Sequence, residues 1–298
     1  MNDKPKSRNH LQQLIKIAGS LLALYLLYTQ IDFSATYKII TRSNPAWLVL
    51  AFMFFNLSQV VSAFRLNYFF DSIGIQLLQS FNLKLYYIGM FYNLLLPGGI
   101  GGDAYKAYLL RKHFGTAFKR LASAMVADRA MGLFAIIILI VILSKGLTQQ
   151  VAINYWFILV SGIVFILAGF LLFRLLFTGY LRVFKPTIFL SIGVQTMQLA
   201  AVWAIWESLE PGGNLVAYLF IFLLSSVATI VPVTVGGLGL REVVFLYGAR
   251  YFDLNSEASV AISLVFFMIT AISSLAGLIF NYSLDESAWK RQKGPDLA

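Results

Sequence analysis

The sequence predicts an all-α polytopic membrane protein, with about six full transmembrane helices and two opposed re-entrant helical hairpins. Three observations predict it. The chain is 59% hydrophobic and 12% charged over 298 residues, whereas a soluble domain is about one-quarter charged. Several apolar runs exceed the ~18 residues that mark a bilayer span. Two further apolar runs are interrupted by proline and clustered glycine: "NLLLPGGIGGDAYKAYLLRK" from Asn93 and "IVPVTVGGLGLREVVF" from Ile230.

The elements follow in order. The N-terminal "MNDKPKSRNHLQQLIKIAGSLLALYLLYTQ" is basic, then apolar, with no small-residue cleavage site after Leu27. It predicts an uncleaved first helix over 11–30 rather than a signal peptide. Further full spans are expected over 46–64, 119–143, 155–177, 187–206 and 258–281. Region 81–96 leads into the first break and 103–114 leaves it as a helix; 215–231 and 240–252 do the same at the second. One transmembrane domain is expected over 1–298, with halves of about 1–145 and 146–283 and a polar tail over 284–298.

Loop charge selects the topology. The net charge is +10, and cytoplasmic loops of membrane proteins concentrate Lys and Arg. Lys4, Lys6, Arg8 and Lys16 put the N-terminus inside, so the second span returns Arg65 to the inner face. Lys106, Arg111, Lys112, Lys119 and Arg120 also belong inside, which requires 81–96 to enter, turn at the glycines and go back. Span 119–143 then leads out to a loop with only Lys145, 155–177 returns to Arg174, Arg182 and Lys185, and 187–206 leads out to Glu207 and Glu210. A cytoplasmic tail bearing Lys290, Arg291 and Lys293 makes 215–252 a second hairpin, entering from the opposite face. The alternative, eight full spans, also keeps both termini inside but puts the 106–120 cluster outside. The expected location is the cytoplasmic (inner) membrane. Broken helices in corresponding positions of two halves point to a transporter site near the midplane, although the halves share little beyond Pro, Gly-Gly and a charge.

Several function classes drop out. There is no cysteine, which excludes disulfides and thiolate metal or redox sites. No Gly-Lys-Ser or Gly-Lys-Thr follows the glycines, so nucleotide binding is not expected. His10 and His113 stand near charged termini or loops without a metal-binding pattern, and no Ser/His nucleophile arrangement is visible. No cofactor and no catalytic constellation are expected. The positive charge reads as the positive-inside bias, with anionic lipid headgroups rather than nucleic acid as its counter-charge.

Chemistry concentrates at the breaks. Irregular backbone at membrane depth survives only inside protein or along a wet cavity. Pro97 and Pro232 stop the preceding helices. Gly98, Gly99, Gly101 and Gly102, with Gly236, Gly237 and Gly239, permit positive φ and close backbone approach. A helix starting beyond such a turn aims free N–H groups and its positive dipole end into the break, ready for a phosphate or carboxylate. Asp103 suits the cap of the helix over 104–113 and can also orient a basic partner. Glu242, beside Arg241, can pair or, kept apolar, carry a proton.

Asp128 and Arg129, in "ASAMVADRAMGLF", sit one to two turns inside a span. They either snorkel at the inner interface or are buried. The planar fork of Arg129 suits a phosphate; Asp128 as a surface partner would contribute at most about 1 kcal/mol. Lys106, Arg111 and Lys112 are expected to share a solvated face, or to form a funnel for headgroups. Asn56, Ser58, Gln59, Ser62, Gln195 and Gln198 are expected to hydrogen-bond neighbouring helices, and Trp47, Trp156 and Trp289 to sit at the interfaces.

Taken together, "NLLLPGGIGGDAYKAYLLRK", "ASAMVADRAMGLF" and "VPVTVGGLGLREVVF" resemble the lysylphosphatidylglycerol synthetase transmembrane-region family, also called flippase-like domain proteins. The resemblance covers nearly the whole chain. Its motifs fall in the family's order: Asn-x-x-x-Pro-Gly ending in Gly-Gly-Asp, an acidic-Arg pair, then Pro-x-x-x-Gly-Gly-x-Gly-x-x-Glu. Any one is weak and the ordered set is specific. The resemblance implies polar signature positions at Asn93, Pro97, Asp103, Arg129, Pro232, Gly236, Gly237 and Glu242. Val235 departs from it, standing where the family has proline. The family includes the membrane half of bacterial multiple-peptide-resistance factor and proteins linked to archaeal N-glycosylation and hopanoid synthesis. The soluble aminoacyl-transferase domain of the resistance factor has no counterpart before Ala298, so lysyl transfer from transfer RNA is not expected of this chain alone.

The expected function is a non-ATP-driven lipid translocase, moving an anionic or glycosylated phospholipid or polyprenyl lipid between leaflets. The alternatives are a non-transporting subunit or scaffold for a lipid- or glycan-modifying enzyme, and a transferase using a lipid-linked donor. Membrane lipids are the expected partners, alongside a second copy of the chain or such an enzyme. Cysteines introduced at Lys112 and Thr148 are expected to label from opposite sides of right-side-out vesicles. Labelling of both from outside contradicts the six-span, two-hairpin topology.

Overall fold

The computed structural model describes residues 29–30, 32–95, 101–148, 150, 154–230, 239–284 and 289. All regular structure among them is helical: α1 (Phe33–Thr41), α2 (Pro45–Asp71), α3 (Gln79–Leu95), α4 (Gly101–Phe114), α5 (Phe118–Ser144), α6 (Tyr155–Leu176), α7 (Phe184–Leu209), α8 (Leu215–Ala228), α9 (Leu240–Tyr251) and α10 (Ser256–Tyr282). Short 3₁₀ turns, Lys145–Leu147 and Thr178–Val183, extend α5 and lead into α7.

The helix starts are written in local chemistry. Asn44, Asn154, Asn214 and Asn255 each offer a side-chain oxygen to a first-turn N–H of α2, α6, α8 and α10, at 2.7–3.0 Å. An amide acceptor here satisfies a donor that the helix cannot. Asp32 caps α1 through Ser34 N and Ala35 N. The sequence predicts no element there; a nine-residue helix is too short to show as an apolar run, and its cap is the one local sign of it.

Among the described residues five helices are long and apolar enough to cross a membrane: Pro45–Asp71, Phe118–Leu147, Tyr155–Leu176, Thr178–Leu209 and Ser256–Tyr282. They match the expected spans from the second onward; the expected first span over 11–30 lies outside the described residues except at 29–30, which are helical. The helices beside the breaks are shorter, with 17, 14, 14 and 12 residues in α3, α4, α8 and α9. At 1.5 Å per residue the 14-residue helices reach about 21 Å, short of the ~30 Å hydrocarbon core.

Two buried clusters define the two ends of the bundle. One gathers Leu66, Phe69 and Phe70 of α2, Leu121 and Met125 of α5, Phe173 of α6 and Tyr180. The other gathers Ala51 and Phe55 of α2, Ile136 of α5, Val202 and Ile205 of α7, and Ile262 and Phe266 of α10. The long helices run alternately between them. The hairpins do not. Phe81, where α3 begins, and Leu110, near the end of α4, both belong to the first cluster. Tyr218, where α8 begins, and Phe252, after α9, both belong to the second. Each hairpin therefore enters and leaves at one end of the bundle, and the two use opposite ends. Arg111, Lys112, Lys119, Arg120, Arg174 and Arg182 lie at the first hairpin's end, beside elements of the first cluster.

Missing side chains let the hairpins close. A Cβ on Gly102 would fall inside the van der Waals envelope of the Gly89 carbonyl, so α3 and α4 touch backbone to backbone. In the second hairpin a Cβ on Gly248 would stand 2.7 Å from Ile221 Cγ1. Gly277 of α10 meets the Tyr87 carbonyl with the same closeness as the Gly89–Gly102 pair, tying α3 to the last span. Gly102→Ala is expected to cost about 1–3 kcal/mol, as overpacking does, read as a lower Tm of the purified protein in detergent. Gly193→Ala, where a Cβ meets nothing within 4 Å, is expected to leave Tm unchanged or raise it. Equal Tm for both variants contradicts the backbone contact.

Candidate functional site

The turns of both breaks, with Pro97, Gly98, Gly99, Pro232, Val235, Gly236 and Gly237, lie outside the described residues. The helices flanking them converge on a central cavity of about 330 Å³. Tyr86, Met90, Asn93 and Leu94 line it from the first hairpin, and Thr229, Arg241 and Glu242 from the second. Phe55, Gln59, Gln198, Phe266, Phe267, Thr270 and Ser274 of the crossing helices complete the wall. A second cavity of about 160 Å³ shares Tyr86, Met90 and Asn93 with the first and continues it toward Arg65, Asp103, Lys106, Asp128 and Arg129.

At the first break, Asn93 on α3 reaches across the hairpin, and its Oδ1 accepts the Gly102 N–H at 2.8 Å. Asn93, not Asp103, thus caps α4, because that helix starts at Gly101 and puts Asp103 inside its first turn. Asp103 instead holds two cations: Lys106 Nζ at 2.8 Å and Arg129 Nη2 at 2.6 Å, with Arg129 Nε on the same oxygen at 2.7 Å. The expectation that Lys106 shares a solvated face with Arg111 and Lys112 is corrected. Lys106 is 5% exposed, while Arg111 and Lys112 are exposed. Residues 106 and 111 are five apart, which a helix of 3.6 residues per turn rotates well off a common face. The Lys106 stem packs over Gly89, which has no side chain to obstruct it, and its ammonium stands 5.1 Å from the Tyr86 ring centroid.

Asp128 and Arg129 are consecutive on α5 and face different neighbours. Asp128 is buried, and its two oxygens receive Arg65 Nε at 2.7 Å and Nη2 at 3.0 Å. Arg65 Nη1 also donates to Ser191 Oγ on α7 at 2.9 Å. The surface-partner reading of Asp128 is therefore replaced by a bidentate pair inside the bundle that joins α2, α5 and α7. Arg129 is the outer member, its side chain 42% exposed. On its far side an apolar recess of about 310 Å³, bordered by Asp103, Arg129 and Val126, shares Ile230 with a groove of about 560 Å³ between α5, α6 and α8. Charged pairs thus meet an apolar groove at Arg129.

At the second break, Gly239 has φ +89, a conformation open to glycine at little cost. Glu242 is 1% exposed. Its Oε2 accepts the Gly239 N–H at 2.7 Å, the half of a capping box that a glycine N-cap allows, and its Oε1 accepts Ser263 Oγ–H at 2.9 Å from α10. Arg241 lies with its guanidinium carbon 5.2 Å from the Phe222 ring and 4.9 Å from that of Phe266.

The structure brings Asn93, Gly102, Asp103, Lys106 and Arg129 together on one side of the cavities and Gly239, Arg241 and Glu242 on the other; Gly101 opens α4 beside the first group. Sequence reasoning missed Arg65 and Tyr86 as site residues. Arg65 had a visible signal: it sits one turn after Ser62 on a polar stripe that runs through Ser58 and Gln59. The expectation for that stripe holds at Asn56, which donates to Ser273 Oγ at 2.9 Å and accepts Tyr87 O–H at 2.8 Å. Trp289 packs against protein, buried and stacked on His113 at 4.0 Å, while Trp156 is exposed.

Comparison with known proteins agrees with the architecture. The family model described as "Lysylphosphatidylglycerol synthase TM region" matches residues 13–188 and 177–277. The UPF0104 membrane protein MJ1595 of Methanocaldococcus jannaschii is 21% identical over 91% of this chain and 96% of its own. The UPF0104 membrane protein PH1989 of Pyrococcus horikoshii is 26% identical over 42% of this chain and 38% of its own.

Removing one partner of a buried pair leaves an uncompensated charge and costs about 3–5 kcal/mol. Asp128→Asn is expected to lower Tm sharply, and Arg65→Met combined with Asp128→Leu to recover most of that loss. A Tm change for Asp128→Asn as small as that of an exposed pair contradicts the assignment.

Proposed function

The chain belongs to the lysylphosphatidylglycerol synthase TM region family, and on that premise we propose that this multi-pass membrane protein is a lipid translocase. It moves an anionic or glycosylated lipid between leaflets of the cytoplasmic membrane, with both termini on the cytoplasmic side. The observation that carries the reading is the cavity walled by both hairpins, each contributing polar side chains and each entering from an opposite end of the bundle. A lipid headgroup crossing hydrocarbon needs polar partners along its path, since each unsatisfied polar group costs several kcal/mol. Asn93, Asp103, Lys106 and Arg129 supply them from one hairpin and its neighbour, and Arg241 and Glu242 from the other, where Gly239 opens the helix that bears them. The glycines of the two turns, Gly98, Gly99, Gly236 and Gly237, belong to the same path on sequence grounds. The apolar groove beyond Arg129 gives the tails a route beside the headgroup. The basic end of the bundle faces the cytoplasm under the positive-inside bias.

Translocation of fluorescent phospholipid in proteoliposomes, read with a membrane-impermeant quencher, tests the proposal. Rates no higher than those of protein-free liposomes at matched lipid composition would refute it and leave the scaffold alternative. Within the working protein, Arg129→Lys is expected to lose about tenfold or more of the rate, nearly as much as Arg129→Ala. Lysine keeps the charge but not the fork that holds Asp103 and a phosphate together. Full activity of Arg129→Lys removes Arg129 from the path.

A further inference from the structure

Among the described residues three carboxylates border the joined cavities, and two of them hold cations. Asp103 has Lys106 and Arg129, and Asp128 has Arg65. Glu242 differs. It is buried, and among the described residues it makes no ion pair. Its two oxygens accept from neutral donors, Gly239 N–H and Ser263 Oγ–H. Arg241, its neighbour in the chain, lies instead against the Phe222 and Phe266 rings. An ionised carboxylate at membrane depth with no counter-ion in contact is costly, and protonation removes that cost. Helix capping alone does not account for an acid here. The cap at Gly239 needs an acceptor, and glutamine serves there as well as glutamate.

Ser263 is placed to follow a proton. Ser259, Thr270 and Ser274 of α10 each donate to the carbonyl four residues back, at 2.7–2.9 Å, the ordinary habit of a helical hydroxyl. Ser263 gives its hydrogen to Glu242 instead. The carbonyl four residues behind it, that of Ser259, is the alternative acceptor. With Glu242 neutral the roles reverse: Oε1–H donates to Ser263 Oγ, the serine hydrogen turns to the Ser259 carbonyl, and Oε2 keeps the Gly239 N–H. Both charge states of the acid therefore find their hydrogen bonds without moving the backbone.

A buried polar line reaches this pair from the second hairpin's end of the bundle. Asn255, Ser259 and Ser263 recur every four residues, which puts them on one face of α10. Asn255 is exposed at the helix start, and Ser259 and Ser263 are buried. On α8, beside Ser259, the Tyr218 hydroxyl is buried and makes no hydrogen bond. A buried hydroxyl left unmet calls for an explanation, and a place in a line of hydroxyls supplies one. Beyond Glu242 the line opens into the cavity, where Thr270 and Ser274 continue the polar positions of α10. Among the described residues the ionisable groups around Glu242 are few. Arg241 is on its own helix, Tyr86 of α3 lines the same cavity, and α2 and α7 present none to it. Tyr218 is the one on α8, α10 has none from Ser259 to Ser274, and Asp253 and Glu257 flank Asn255 where the line begins.

We propose that Glu242 is a proton-binding site fed along this line, and that its proton is the ion coupled to transport. The transfer balances. As Ser263 passes its hydrogen to Glu242 Oε1, its Oγ takes the incoming proton and turns it to the Ser259 carbonyl. One proton enters, Glu242 holds one, and Ser263 remains a neutral hydroxyl. Among the described residues four cations and three carboxylates border the joined cavities, so protonation raises the positive excess from one to two. A proton on Glu242 and an anion in the cavity thus each favour the other's binding. The proton site stands on its own geometry; its coupling to cargo rests on the translocase reading.

Infrared difference spectra of the purified full-length protein, taken across about pH 5–9, read the site with no cargo present. A protonated-carboxyl C=O band is expected to titrate in the wild type and to be missing from Glu242→Gln. Identical carboxyl bands in the two proteins overturn the inference. Glu242→Gln is expected to keep the wild-type Tm, since its amide caps Gly239 and donates to Ser263 as the neutral acid does. Ser263→Ala, which leaves the acid in place, is expected to shift the band, and an unmoved band counts equally against the site. In proteoliposomes with an entrapped pH dye, a pH gradient is expected to speed wild-type movement of fluorescent phospholipid several-fold, with proton uptake alongside. Glu242→Gln is expected to run at one rate with and without the gradient. Tyr218→Phe, which has no hydrogen bond to lose, is expected to slow proton uptake several-fold at unchanged Tm; unchanged uptake contradicts the line. Wild-type lipid movement indifferent to the gradient overturns the coupling. Titration of Glu242 without lipid movement removes the translocase reading and keeps the proton site; lipid movement without that titration does the reverse.

Discussion

A helix that stops inside a bilayer leaves amides and carbonyls with no water to meet them, and this structure is organised around meeting that demand twice. The half-length helices need acceptors at their starts, and each break finds one in a side chain. Asn93 reaches back across the first hairpin to Gly102 N, and Glu242 folds onto Gly239 N from within the helix that it opens. The first solution works only where the two arms of the hairpin lie close, in keeping with the backbone contact of Gly89 with Gly102. The long helices then serve as the enclosing wall. Gln59, Gln198, Thr270 and Ser274 of these helices face the cavity between the hairpins, beside Phe55, Phe266 and Phe267.

The charges follow from the same demand. Ionised groups at this depth survive when paired, and α5 does the pairing through two consecutive residues. Asp128 binds α5 to α2 and α7 through Arg65, while Arg129 binds it to α4 through Asp103. One turn of one helix therefore connects the fixed frame to the first hairpin. A shift of that hairpin relative to α5 is opposed by a charge-assisted hydrogen bond, whereas the frame pair behind it can stay intact. The second hairpin makes no ion pair among the described residues; the Glu242 carboxylate ties it to α10 through Ser263 Oγ, and Arg241 lies against two ring faces.

Much of this was legible in the sequence, because the information is local. Run length marks the long helices, proline and glycine mark the breaks, and the alternation of basic and acidic loops separates two re-entrant hairpins from eight crossings. What was not legible depends on partners distant in the chain. Arg65 and Asp128 stand 63 residues apart, and nothing near either one announces the other. The burial of Lys106 depends on the absence of a side chain at Gly89, seventeen positions earlier and on the other arm. Asp103 suits the cap by its place after the glycines, but the helix begins two residues before it, which hands that task to Asn93 and frees the carboxylate for its cations. The short α1 escaped notice because it has too few residues to show a period.

Trp289 touches both arms of the first hairpin at the basic end. Its indole lies parallel to the His113 imidazole, with centroids 4.0 Å apart and planes 3° apart, and it meets Phe81 edge-on at 4.7 Å. Phe81 opens the inbound arm and His113 closes the outbound one. Trp289 thus bridges the two arms like a clasp. Spreading the arms there must slide the indole off one ring or the other, so the farthest-downstream described residue opposes the opening of an element encoded some two hundred positions upstream.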